Sequence, residues 1–264
     1  MKAVLEKQLP SPSKQVGIIT RHELRKFLRS KRVIGVMAVA VLASIAVVNF
    51  IANIFDPEQT SGLLGFSLFL APALLIITAA LVGSDALLVE FHEKTGYSLF
   101  PNPVGRTSIW LGKFLAAEII IFIVIAIYFG VISVASLVYF EEMLPGILVP
   151  LLFSLVLGTL AMSLAFLWSA VFKGPLAATI TTLFSLVALP IADLILASQQ
   201  IETWFMPYTA ASNVMQSFAV LDRDFIISEG GLQAIPVVAS FFIVVAYIVG
   251  FAAGSIYLFK RRDM

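Results

Sequence analysis

The chain reads as an all-α membrane protein: six transmembrane helices, an amphipathic interfacial helix at the N-terminus, and short outer helices before the last span. Three observations lead there. Hydrophobic residues make up 60% of the 264 residues and charged residues 12%, against about 45–50% and about 25% in soluble domains, so lipid is the natural solvent for this surface. Six apolar stretches are each long enough to cross a hydrocarbon core of about 30 Å, which takes roughly 20 helical residues. Sixteen of the 17 Lys and Arg residues lie on one side of those stretches, with Arg223 alone opposite. That bias across short loops sets membrane orientation.

Residues 1–14 are polar and interrupted by Pro10 and Pro12, and read as a flexible tail. Residues 15–32 have helical spacing. Val16, Ile19, Leu24, Phe27 and Leu28 form a rough apolar stripe, with Arg21, Arg25, Arg29 and Arg32 on other faces. A basic amphipathic helix beside a span lies in the headgroup layer. It serves as a positive-inside anchor, or also as a lever touching a cytoplasmic partner. Residues 33–264 then form the six-span domain. The spans are expected at Val33–Phe55, Leu63–Val89, Trp110–Tyr139, Leu144–Phe172, Pro175–Leu196 and Ile235–Phe259, as helices because lipid offers no partner to an open backbone. Lys173, Gly174 and Pro175 make a tight turn between the fourth and fifth. The even count and the basic bias put both termini in the cytoplasm of a multi-pass protein of the cell membrane.

Two connections stand out. The cytoplasmic one, 90–109, extends the second helix, turns at Thr95-Gly96, and is barred from continuing as a helix by Pro101 and Pro103. The outer one, 197–234, mixes Trp204, Phe205, Met206, Tyr208 and Phe218 with polar residues, a composition suited to the membrane interface. Helical spacing at Ala211, Val214, Met215 and Phe218 makes part of it a helix, interfacial by its composition.

Three carboxylates fall within the spans: Asp85 near the inner end of the second, Glu118 about two turns into the third, and Asp193 near the outer end of the fifth. Such groups are costly in lipid and face a bundle interior or water. They serve a pathway or cation site, or else bond between helices. Pro72, Pro150 and Pro190 are candidate kinks, and Gly250-x-x-x-Gly254 is a candidate close helix contact.

Several chemistries are excluded. No G-x-x-x-x-G-K-[ST] occurs, so the chain has no P-loop of its own. With no cysteine there is no disulfide or thiolate metal site. The two histidines, His22 and His92, both lie outside the spans, which removes an intramembrane His-based zinc or Ser/His centre. Glu141-Glu142 lacks the Arg that a membrane metalloprotease motif carries in sixth place, where Gly146 stands.

The run EFHEKTGYSLFPNPVGRTSIWLGKFLAAE resembles the cytoplasmic segment of ABC-2 type transporter permeases, on Glu93, Gly96, Pro103, Arg106, Gly112 and Lys113. The six-span layout with its N-terminal helix is similar too. Tyr97-Ser98-Leu99-Phe100 departs from the small, Leu-rich stretch usual there. The resemblance implies a coupling helix over Glu90–Phe100 seated in a groove of a separate ATPase subunit, with Glu90, Phe91, Glu93, Lys94, Thr95, Gly96, Tyr97, Leu99 and Arg106 at the docking surface. It further implies a pair of permeases, a homodimer in the simplest case. ATP and Mg would be held by the partner, with no cofactor, metal or nucleic acid on this chain, and the activity would be export. A stand-alone ion-coupled carrier or channel built on Glu118, Asp85 or Asp193 is the rival. Many such carriers show inverted repeats, and none is evident.

Overall fold

The computed structural model describes residues 11–54, 70–88, 105–140, 147–201, 203–211 and 237–261. Within them the chain is helical, with no strand among the described residues. The elements are α1 (Pro12–Arg29), α2 (Lys31–Ile54), α3 (Leu70–Gly83), α4 (Arg106–Phe140), α5 (Leu148–Val171), α6 (Pro175–Ser198), a short α7 over 207–211, and α8 (Val237–Arg261). Five of these, α2, α4, α5, α6 and α8, are long and apolar enough to cross a membrane; α3 is a shorter apolar helix where the second span was expected.

α4 and α5 form the axis of the bundle. α1 and α2 pack on α4, α8 and α6 pack on α5, and the end of α3 is held between α5 and α6. Tyr128, Phe129 and Ile120 of α4 and Phe166 of α5 are fully buried. Two glycines set the close approaches among α3, α4 and α5. A Cβ at Gly158 would meet Ile121 at 2.7 Å and Leu75 at 3.1 Å, and one at Gly83 would meet Met162 at 2.5 Å and Ala165 at 2.7 Å. The candidate pair on α8 divides: Gly254 lies against Leu167, and nothing approaches Gly250.

The outer helices show the solvent for which they were built. α6 buries only Ala178, Thr182, Leu186 and Asp193, a narrow stripe at helical spacing. Its other faces present Phe184 and Leu194, each 72% exposed, with Ile180, Ile191 and Ile195 beside them. Such a surface is stable in hydrocarbon and unfavourable in water by about 25 cal/mol per Å² of apolar area.

Three expectations need correction. Pro12 does not belong to a flexible tail. It opens α1, where a missing N–H costs nothing and φ is already helical. Leu28 is 43% exposed and leaves the packing stripe; Val16, Ile19, Leu24 and Phe27 stay in it, joined by Thr20 and Glu23. The expected Leu63–Val89 helix is not regular to its end. It widens into a π-helical turn at Ala79–Gly83 and breaks into turns at 84–87. Ser84 Oγ binds the carbonyl of Ala80 and the hydroxyl of Thr179 on α6 at 2.7 Å, so side-chain bonds compete with the regular ladder there.

Two glycine changes separate packing from propensity. Gly158→Val should lower stability in detergent micelles by about 1–3 kcal/mol through overpacking. Gly130→Ala should be neutral or stabilising by about 0.5–1 kcal/mol, since nothing lies within 4 Å of an added Cβ. Thermal unfolding of the two variants beside the parent checks both.

Candidate functional site

Among the described residues, the densest polar assembly lies at the end of the bundle where α1, α2, α3 and α4 meet. α1 reaches α4 because position 112 has no side chain: a Cβ there would meet Ile19 at 2.7 Å and the carbonyl of Val16 at 3.2 Å. Thr20 Oγ1 closes the gap, donating to the carbonyl of Gly112 at 3.1 Å. The next residue, Lys113, turns its ammonium inward. It donates to Glu23 Oε1 of α1 at 3.0 Å and to the carbonyl of Ala86 at 2.9 Å. The Lys113 side chain is 1% exposed and that of Glu23 8%. A buried cation survives only when paired and hydrogen-bonded, and here one ammonium ties three segments together. The carbonyl of Ala86 is available because the chain has left the helix after Gly83.

Further bonds complete the ring. Arg32 at the start of α2 pairs with Asp85 at 2.6 Å. The Arg32 side chain is 63% exposed, so this pair contributes at most about 1 kcal/mol. The Leu87 N–H donates to Ser169 Oγ of α5 at 3.1 Å. Arg106 donates to the carbonyl of Lys260 at the end of α8 at 2.6 Å. Trp110 Nε1 donates to Ser255 Oγ at 2.9 Å, which donates to the carbonyl of Phe166 at 2.9 Å. Trp110 also stacks on Phe114 at 4.9 Å. The chain therefore enters residues 89–104 from a clamped turn and leaves them into a clamped helix.

Of the expected docking residues, Arg106 is on this ring. Glu90, Phe91, Glu93, Lys94, Thr95, Gly96, Tyr97 and Leu99 lie outside the described residues, as do Glu141, Glu142 and most of the 197–234 connection. Asp85 is an inter-helix partner of Arg32. Glu118 stands away from the ring, accepting from Thr159 of α5 at 3.2 Å, with its other oxygen buried and unpartnered among the described residues. Asp193 accepts from Thr209 of α7, and its second oxygen is likewise unpartnered among the described residues. Glu23 escaped the reading from sequence. Its signal was there: an acid four residues from both Ile19 and Phe27, on the apolar stripe of a basic helix. No group of three or more His, Cys, Asp or Glu side chains is placed to hold a metal ion among the described residues.

Removing one partner of the buried pair strands the other. Lys113→Met or Glu23→Leu alone should destabilise by about 3–5 kcal/mol, and the double variant by clearly less than the sum. Thermal or denaturant unfolding of the four proteins measures the coupling; additive effects would show that the two groups do not interact.

Gly112 and Lys113 thus have physical reasons for standing together at the head of a long apolar helix beside an N-terminal amphipathic one. No curated protein matches the chain. A family model described as ABC-2 family transporter protein matches residues 18–264, a span that takes in the last two thirds of α1, the rest of the bundle and the segment between Leu88 and Arg106. The chain belongs to the ABC-2 transporter family.

Proposed function

We propose that the chain is the membrane-spanning permease subunit of an ATP-driven exporter, working as a pair of permeases on two copies of a separate cytoplasmic ATPase. The basic end, with both termini, faces the cytoplasm of the cell membrane. The observation that carries this reading is the double clamp on residues 89–104. On one side Asp85, Ala86 and Leu87 bond to Arg32, Lys113 and Ser169; on the other, Arg106 bonds to the end of α8. A segment so anchored passes a push to α2, α4, α5 and α8 at once. Glu90, Phe91, Glu93, Lys94, Thr95, Gly96, Tyr97 and Leu99 form the surface the ATPase grips. α1, bolted to α4 through Lys113, is a second lever. The ATPase holds ATP and Mg, and its nucleotide states shift the bundle by no more than their differential binding energy.

The unpartnered oxygen of Glu118 supports a second reading, ion-coupled transport without an ATPase. The two differ in fuel. Vesicle transport that requires ATP and survives Glu118→Gln belongs to the first, whereas transport driven by an ion gradient and lost in Glu118→Gln belongs to the second.

The chain has no cysteine, so Tyr97→Cys is a single-thiol probe in the natural background. In intact cells an impermeant maleimide should leave it unlabelled, and opened cells or inverted vesicles should label it. Isolation of the native membrane complex should bring down an ATPase, and Gly96→Pro should reduce that recovery at least several-fold. Labelling of Tyr97→Cys from the exterior, or a complex without an ATPase, would refute the export reading.

A further inference from the structure

An interfacial helix ordinarily lays its apolar stripe in the lipid. α1 buries that stripe in the protein instead. Val16, Ile19, Thr20 and Glu23 meet α4 at Gly112 and Lys113, which closes that face to the bilayer. The opposite face, by helical spacing, carries Lys14, Ile18, Arg21, Arg25, Leu28 and Arg29. All six are exposed, Ile18 at 63% and Leu28 at 43%.

The charge on this face is uncompensated. Glu23 is the single acid of α1, and it is turned inward and neutralised by Lys113. Asp85 is taken by Arg32 at the start of α2. Lys14, Arg21, Arg25 and Arg29 have no ion pair among the described residues. Successive cations along such a stripe stand about 6 Å apart, inside the screening length of about 8 Å at physiological salt. Their mutual repulsion favours an anionic surface laid along the helix.

The place of α1 says which surface. It leads into α2 through Ser30 alone, and α2 is apolar enough to span the membrane. It also packs where α4 begins, so its length runs at the level of the headgroups. Two apolar side chains interrupt the cations, Ile18 toward one end and Leu28 toward the other. Water offers nothing to such a pair. The membrane interface offers phosphates to the cations and acyl carbons to the apolar side chains between them.

We propose that the outer face of α1 is a binding surface for anionic phospholipid, with Lys14, Arg21, Arg25 and Arg29 donating to lipid phosphates and Ile18 and Leu28 reaching the acyl carbons. This rests on the reading that the basic end lies at the cytoplasmic surface of the membrane. A zwitterionic lipid carries its own cation beside the phosphate and competes poorly for a face with four. Because Glu23 and Lys113 bolt α1 to α4, bound lipid also steadies the head of α4.

The chain has no cysteine, and a Cβ at Gly17 meets nothing within 4 Å, so Gly17→Cys places a fluorophore beside this face and leaves the face itself intact. The labelled full chain is set in nanodiscs of equal parts phosphatidylglycerol and phosphatidylcholine, with acyl bromines near the glycerol of one lipid at a time. Bromines on phosphatidylglycerol should quench at least about twofold more strongly than the same bromines on phosphatidylcholine. Arg21→Gln, Arg25→Gln and Arg29→Gln together should bring the two lipids to equal quenching. So should about 1 M salt, where the screening length falls to about 3 Å, and that arm needs no variant. The triple variant should unfold at the parent's temperature, since none of its changes touches the Glu23–Lys113 pair. Equal quenching in the parent, or a preference that persists in the triple variant or at high salt, overturns the proposal. Quenching by neither lipid overturns it too, and leaves the face to water or to an acidic patch on the ATPase. No ATPase is present in the nanodiscs, so failure here is distinct from failure of the export reading.

Discussion

The Lys113 ammonium is the constraint around which the basic end of the bundle is arranged. A cation 1% exposed at this depth cannot be left unpaired, and each of its partners lies on a different segment. Glu23 forces α1 onto α4, and the carbonyl of Ala86 forces the chain to leave α3 before that point. Gly112 is then required, because any Cβ would hold α1 away from the ammonium. The wide turn at Ala79–Gly83 and the break behind it follow from the same need to present a backbone oxygen. One buried charge thereby sets the position of the N-terminal helix and the exit of the second apolar helix.

The remainder of the bundle obeys the opposite rule, that polar groups in lipid are satisfied locally. Ser44, Thr78, Ser133, Thr159, Ser163, Thr179 and Ser185 each give their hydroxyl to the carbonyl four residues back. Such bonds ask nothing of neighbouring helices, and of these hydroxyls only those of Thr159 and Thr179 also meet a side chain from another segment among the described residues, Glu118 and Ser84. Packing between helices then rests on shape, with glycine at Gly83 and Gly158 where α3, α4 and α5 cross most closely. Among the described residues, the polar bonds between segments at Ser84, Trp110, Ser169 and Ser255 gather toward the basic end, and Thr159–Glu118 and Thr209–Asp193 lie away from it. That end is stitched together, and the lipid-facing stripes of α6 and α8 are held by far fewer polar ties. A body tied at its basic end and looser elsewhere suits the proposed drive from the cytoplasmic side.

Asp193 and Glu118 break the rule of local satisfaction, each keeping one oxygen unspent. Their settings differ. Glu118 leans on a single hydroxyl between α4 and α5, whereas Asp193 anchors α7 to α6. Both bond between helices as one of the two sequence readings held, and the spare acceptor on each is what spacing alone does not reveal.

Much of the architecture was determined by the sequence itself. Apolar length placed α2, α4, α5, α6 and α8 within a few residues of their observed ends, because a helix in lipid must run as far as its apolar stretch does. Amphipathic spacing found α1, and Lys173-Gly174 marked the turn between α5 and α6. What needed the tertiary structure was pairing. Glu23 is one acid among many charges until α1 is laid on α4, Gly112-Lys113 is a family motif until Ile19 and Glu23 face it, and Arg106 meets Lys260 across 154 residues of chain. The π-turn in α3 arises from how several helices meet. Periodicity reports which face of a helix is buried, because burial follows composition along one strand of sequence. It carries no record of the neighbour on that face, because the neighbour is chosen by shape and charge contributed from distant parts of the chain.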